Sequence, residues 1–162
     1  MKRVSWKYLA GLIDGEGCID LATTKVKEQF YIQPRLRIMM ADNAAFLLEQ
    51  CKANFGGHFE HRESTNEKWQ SATGWILSGY KASCPVLRNV VNHLFLKREQ
   101  ARLCLWMETN LKGTRLEQEV LTAVREEFKL MKRDPHRLSE TAQERILKLL
   151  GSYSRQDCNI LS

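Results

Sequence analysis

Residues 9–17 read Leu-Ala-Gly-Leu-Ile-Asp-Gly-Glu-Gly, and no other stretch of the chain constrains its fold as tightly. The apolar positions Trp6, Leu9, Leu12 and Ile13 follow helical spacing, which predicts a helix from about Trp6 to Asp14. Ala10 and Gly11 give it a flat strip along which a second helix backbone can come close. Gly15 and Gly17 end it and leave two acids, Asp14 and Glu16, at its exit with one glycine between them. A helix that only fills a core needs neither the acids nor such an exit.

Beyond this helix the hydrophobic period switches to two. Cys18–Thr24 alternates, with Ile19 and Leu21 on one face and Asp20, Ala22 and Thr24 on the other, a half-buried strand. After a polar turn at Lys25–Glu28 the alternation returns from Tyr31 to Met39. Ile32, Pro34, Leu36 and Ile38 point one way, and Tyr31, Gln33, Arg35 and Arg37 the other. Pro34 argues for an edge or bulged position. Asp42-Asn43 reads as the cap of a helix through Phe55, stopped by Gly56-Gly57. His58–Glu63 and Trp69–Gly79 read as a second strand pair. Pro85 opens a helix through Leu94, and Lys97–Leu111 forms another. Two more helices follow at about Leu116–Lys132 and Ser139–Leu150, separated by Asp134-Pro135. The fold class is therefore α+β in the order αββαββα. A four-stranded antiparallel sheet carries helices on one face and leaves the other free, and further helices follow at the C-terminus. A single domain over 1–162 is expected, with a core at about 5–112 and a helical extension at about 113–162.

A chain of 162 residues can bury one sizeable core. No apolar run reaches about 18 residues, so no membrane span is expected. No apolar signal core follows the charged start Met1–Lys7, so an intracellular, non-secreted protein is expected. Cys18, Cys51, Cys84, Cys104 and Cys158 are odd in number and scattered, which fits reduced thiols and neither a disulfide framework nor a zinc site. The net charge of +6 allows an acidic partner, but it is not gathered in a tail. Any contacts to nucleic acid must be placed by the fold.

The free sheet face is where they would be placed. A β-ribbon can enter the major groove of DNA, where arginine pairs with guanine and glutamine with adenine. Gln33, Arg35 and Arg37 are the leading candidates, with Asp20, Thr24 and Tyr31 beside them and His61, Arg62 and Gln70 from the second strand pair. His58 and His61 fall on opposite faces, which excludes a shared metal. Trp69, Trp75 and Trp106 read as packing residues, and the runs Arg125-Glu126-Glu127 and Lys132-Arg133 as solvated helix faces, some of whose charges could touch phosphates.

The acids at the helix exit ask for other chemistry. Hydrolysis of a phosphodiester needs a nucleophilic water and relief of charge on the leaving oxygen, and divalent metals held by carboxylates supply both. Asp14 and Glu16 at the helix end, with the Gly15 carbonyl accessible between them, make half of a hard-cation site, to be completed by water and phosphate oxygens.

The nine residues resemble the signature of the LAGLIDADG homing endonuclease family, departing from it only by Gly15 for alanine and Glu16 for aspartate. The resemblance implies a site-specific DNA endonuclease that uses Mg2+, with Mn2+ or Ca2+ able to substitute in binding. It implies a double-strand cut across the minor groove of a long, near-palindromic site, leaving short 3′ overhangs. It makes Glu16 the catalytic metal ligand, Gly15 a carbonyl ligand and Asp14 a structural acid. Leu94-Phe95-Leu96-Lys97-Arg98-Glu99-Gln100-Ala101 resembles a second family stretch, which makes Lys97 the candidate catalytic lysine. The motif occurs once, whereas chains with two copies pair their motif helices internally. A homodimer is therefore implied, with an isologous interface through Leu9, Ala10, Gly11, Leu12 and Ile13. Two positions depart from the pattern. Where related chains often carry a glutamine and an arginine, this one matches Met40 and Ala44, neither of which positions water or neutralises phosphate. Either Asp42, Asn43 or Gln33 takes over, the active site is sparser, or activity is reduced. An intron-RNA maturase or a non-cleaving DNA-binding regulator on the same fold is the alternative.

Overall fold

The computed structural model describes residues 3–158 except Glu67 and Trp69, and for 153–158 the backbone alone. Trp69, assigned above to packing, and the thiol of Cys158 therefore lie outside the described residues. Ser5 caps the first helix, α1 (Trp6–Glu16), its hydroxyl accepting from the Tyr8 N–H at 3.2 Å. The helix continues past its expected end at Asp14, so both acids sit in its last turn. The Gly17 N–H closes that turn on the Ile13 carbonyl while the backbone is already extended. A Cβ on Gly17 would lie 2.6 Å from the Ile13 oxygen, so only glycine allows so abrupt a passage from helix to strand.

Strands β1 (Gly17–Val26) and β2 (Gln29–Ala41) form a hairpin in the register Asp20 to Arg35 and Thr24 to Tyr31. Strands β3 (His58–Arg62) and β4 (Ala72–Ser78) form the second pair, and the sheet order is β1-β2-β4-β3, antiparallel throughout. Pro34 is thus in an inner strand, contrary to the edge or bulged position expected. Its carbonyl points to the β4 side and accepts from Gly79 N–H at 2.9 Å, just past the last β2–β4 partner pair, Arg35 and Ser78. The missing proline N–H points the same way, so no bond of the β1–β2 ladder is lost.

Helices α2 (Ala45–Phe55), α3 (Tyr80–Val90) and α4 (Arg98–Asn110) join α1 on one face of the sheet, and Leu9, Ile19, Leu36, Trp75 and Leu103 are fully buried between the layers. A 3-10 turn, Asp42–Ala44, precedes α2. Asp42 does not cap that helix; its carboxylate accepts from the Thr73 hydroxyl at 2.8 Å. Pro85 lies inside α3 and does not open it. It is exposed and its missing N–H costs one intrahelical bond. Burial of Tyr80, Cys84, Leu87 and Val90 along the opposite stripe holds the helix together.

Helices α5 (Gln118–Arg133) and α6 (Ser139–Cys158) complete the helical side. A β-bridge between Phe30 and Leu116 ties the segment before α5 to the start of β2, and one hydrophobic cluster runs from Leu9 to Ile146. Glu127 of α5 is fully buried, its carboxylate receiving Arg137 at 2.7 and 2.9 Å and Arg145 at 3.1 Å. Burial pushes the Glu127 carboxyl up, but the two guanidinium groups outweigh it and hold it below the usual carboxylate range. A carboxyl with a depressed folded-state pKa stabilises the fold above its unfolded value and loses that contribution as pH falls through the folded value. Glu127→Gln is therefore expected to cost roughly 2 kcal/mol at neutral pH, less than a fully buried pair because both arginines reach solvent. Thermal melts should also show a smaller loss of stability between neutral pH and acid than in the wild type. Equal losses would show that the pair contributes nothing.

Candidate active site and nucleic-acid interface

At the exit of α1 the two acids have different surroundings. Both Asp14 carboxylate oxygens accept backbone N–H groups, from Phe95 at 2.7 Å and from Lys97 at 3.1 Å. Asp14 thereby fixes the segment that enters α4. The Lys97 ammonium donates to the Asp14 carbonyl at 2.5 Å. Burial pushes the Lys97 pKa down, against the opposing pull of Asp14 and Glu16. Glu16 is exposed and has no hydrogen bond or ion pair among the described residues. Gly15 is exposed with open space beside it, and the end of the helix leaves its carbonyl without an intrahelical donor. Glu16, Gly15 and Lys97 therefore share one corner. Among the described residues no three His, Cys, Asp or Glu side chains gather in a metal cluster. One free carboxylate and one free carbonyl fit a hard cation as a half-shell, with phosphate oxygens or a second chain supplying the rest.

The sheet register sorts the candidate readers by face. Asp20, Thr24, Tyr31, Gln33, Arg35 and Arg37 share the face away from the helices, since directly paired residues point the same way. Pairing through Ile76 and Ala72 adds His58 and Arg62 to it. His61 falls on the helix side instead, paired with Thr73 and 3.7 Å from Asp42. The alternation of β3 places His58, and not His61, on the outward face. Gln70 is exposed in the loop before β4, not on a strand.

Asp20 bonds both of its arginine neighbours. Arg35 reaches it at 2.8 and 3.1 Å and Arg37 at 2.6 Å. The hydrogen bond that Arg35 donates to Asp20 raises the Arg35 pKa above its ordinary value. Both guanidinium groups are thereby oriented before any ligand arrives, and one of the two positive charges is cancelled. Asp20→Ala is expected to free them. Affinity for arbitrary duplex DNA should rise severalfold at low salt, and discrimination between sequences should fall. Anisotropy titrations on two unrelated duplexes check this; unchanged affinity would mean that Asp20 restrains nothing.

The outer face of α1 differs from the expected pairing surface. Leu9, Ala10 and Ile13 are fully buried against their own sheet and helices. The open side carries Tyr8, half exposed, with Gly11, Leu12 and Gly15 at helical spacing. Nothing lies within 4 Å of a Cβ built on Gly11 or Gly15. Adjacent small residues point about 100° apart on a helix, so Ala10 and Gly11 cannot share one outward strip. The exposed side chains of Phe46, Phe95 and Leu96 add to the apolar surface of this side of the molecule.

Met40 packs against the core and faces the helices; its neighbour Met39 faces outward, lying over Gly74. Ala44 ends the 3-10 turn before α2. Two cations that sequence reasoning treated as solvated do touch the sheet. Arg125 donates to Thr23 at 2.8 Å and Lys132 to Cys18 at 3.3 Å. Their spacing along α5 is the sequence signal that would have found them. Trp75 is buried as expected, its indole N–H donating to the Gly56 carbonyl at 2.7 Å, and Trp106 packs against the core.

The sheet with its helices matches known structures. Two structures of the homing endonuclease I-CvuI are similar over 90% of this chain and 94% of theirs, at 22% identity and a TM-score of 0.62. One is a complex with the I-CreI target in the presence of 2 mM Mg, with the DNA not cleaved, and the other a complex with its own target Sro1.3 in 2 mM Ca. The LAGLIDADG homing endonuclease I-GzeII, in complex with a DNA target, is similar over 88% of this chain and 42% of its own, at 14% identity and a TM-score of 0.51. At these identities the likeness is one of fold. No curated protein sequence matches. The family model described as LAGLIDADG endonuclease matches residues 9–110, which hold the acid-bearing helix, the whole sheet and Lys97. The chain belongs to the LAGLIDADG endonuclease family.

Proposed function

We propose that this chain is a site-specific, divalent-metal-dependent DNA endonuclease that acts as a pair of identical chains on a long, near-palindromic duplex. The observation that carries this reading is Glu16, a carboxylate left unpaired at a helix exit beside a free carbonyl, while Asp14 next to it is fully engaged in structure. Mg2+ held there would supply a nucleophilic water and neutralise charge on the leaving oxygen. Glu16 and the Gly15 carbonyl would hold the cation. Lys97, fixed by its bond to the Asp14 carbonyl, would face the phosphate and offset its charge. The outward row of Gln33, Arg35 and Arg37 would read base edges in the major groove. Thr24, Tyr31 and Arg62 share that face. His61 and Gln70, off that face, are not part of this reading.

Pairing follows from the half-site. One chain offers one carboxylate and one carbonyl, and two chains joined along the open side of α1 would bring two such sets together near a two-fold axis. Gly11 and Gly15 leave room for the backbones to approach, and Tyr8 and Leu12 supply apolar contact.

The test is a plasmid carrying the uninterrupted form of the DNA that flanks this gene, incubated with the protein with and without Mg2+. A single linear product that needs the metal is expected. Tight binding of the same site with no cutting under Mg2+ or Mn2+ would overturn the endonuclease reading in favour of a regulator or a maturase, the outcome to which the apolar Met40 and Ala44 would then point.

A further inference from the structure

Helix α5 runs antiparallel to the edge strand β1, since Arg125 meets Thr23 and Lys132 meets Cys18. Arg125, Lys129 and Lys132 stand at i, i+4 and i+7, so one stripe of the helix turns three cations towards the strand. With Asp20, Leu21 and Phe128 they line a groove of about 170 Å3 between helix and sheet edge. Its one carboxylate, Asp20, is already bonded by Arg35 and Arg37. The neighbouring acids of α5 are turned to the other side, Glu126 and Glu127 both meeting Arg145 of α6. Lys129 has no hydrogen bond or ion pair among the described residues, although its exposed ammonium lines this groove. The groove therefore holds uncompensated positive charge in a fixed geometry.

We infer that this groove binds a phosphodiester group of the DNA backbone at the rim of the sheet, through cations of α5 that lie outside residues 9–110 that the family model covers. The inference rests on the DNA-binding reading proposed above. Arginine and lysine are the usual partners of phosphate oxygens, and such contacts fix the register of a protein on the duplex while base contacts specify sequence. Asp20 and Cys18 belong both to the groove wall or its contacts and to the arginine-bearing face. A strand whose bases meet Arg35 and Arg37 would thus run its backbone along α5. At the inner end, Lys132 lies near enough to Lys97 to help lower its pKa, which places the groove next to the Glu16 corner. The extension then has a function in binding: it supplies the outer bank of the DNA channel.

Counterion release provides the test. The association constant of the full-length protein for a non-cognate duplex of fixed length is measured by fluorescence anisotropy from about 50 to 200 mM salt, where each phosphate contact adds about 0.9 to the slope of log K against log salt. Lys129→Gln and Lys132→Gln should each reduce that slope by about 0.9, and the double variant by about 1.8. Lys148→Gln, an exposed change on α6, should leave it unaltered. Both lysines of the groove are exposed, so the variants should melt as the wild type does. A double variant with the wild-type slope, when the wild type itself is steep, would overturn the groove and leave the DNA-binding reading standing. A wild type without salt-dependent duplex binding would overturn both.

Discussion

Glu16→Gln is expected to lower cleavage of a cognate plasmid by roughly a thousandfold, about 4 kcal/mol of lost transition-state stabilisation. The exchange keeps the size of the side chain and removes the charge that would hold the cation. Glu16 has no hydrogen bond or ion pair among the described residues, so its charge acts on the fold only through its pull on Lys97. Binding of the duplex in Ca2+-free buffer should change by less than about twofold, because the position carries one charge among many phosphate contacts. Asp14→Asn is the contrasting variant. It weakens the two hydrogen bonds from Phe95 and Lys97, loosens the entry into α4, and should lower the melting temperature as well as the rate. Linear product formed at the wild-type rate by Glu16→Gln would remove Glu16 from the mechanism.

Gly11→Leu is expected to yield a folded monomer that no longer cuts both strands. The Cβ of a leucine at this position has nothing within 4 Å, and replacing a helical glycine favours the helix by up to about 1 kcal/mol. The same side chain projects into the space that a second α1 would occupy, and overpacking there costs about 1–3 kcal/mol per copy. Sedimentation velocity should show the change from dimer to monomer, with an unaltered far-ultraviolet circular dichroism spectrum. Leu9→Ala separates the two faces of the helix. It hollows the core and should cost about 2–5 kcal/mol of stability without addressing the pairing surface. A Gly11→Leu protein that sediments as the wild type does would exclude the open side of α1 as the interface.

Periodicity made the architecture legible before any coordinates. The shift from helical to alternating spacing after Gly17 and the alternation of Ile32 to Ile38 locate α1, β1 and β2 with small errors at their ends. What stayed illegible depended on tertiary neighbours. Pro34 signals an edge until one knows that β4 ends beside it, and Pro85 signals a start until the buried stripe of α3 outweighs one lost hydrogen bond. The phase of β3 decides whether His58 or His61 faces outward, and a short strand of mostly exposed residues gives no burial pattern to set it. Of the expected pairing surface, Gly11 and Leu12 stay open while Leu9, Ala10 and Ile13 are buried, for a related reason. Both sides of α1 are apolar or small, so sequence alone does not say which one its own sheet consumes. The acid-bearing exit was legible as chemistry. The resemblance already divided the two acids, but the groups that engage Asp14, the N–H groups of Phe95 and Lys97, lie far along the chain and were not legible. The Asp20 clamp on Arg35 and Arg37, and the cations of α5 beside it, need the same long-range register.

The most direct measurement combines stoichiometry with cutting. The wild-type protein is titrated into a fixed amount of duplex containing the uninterrupted insertion site, and the mass of the complex is read by analytical ultracentrifugation in Ca2+. Parallel samples in Mg2+ are scored for double-strand breaks. Two chains per duplex are expected, with cleavage saturating at the same ratio. One chain per duplex that cuts both strands, or two chains that cut equally well in EDTA, would contradict the account of paired, metal-dependent half-sites.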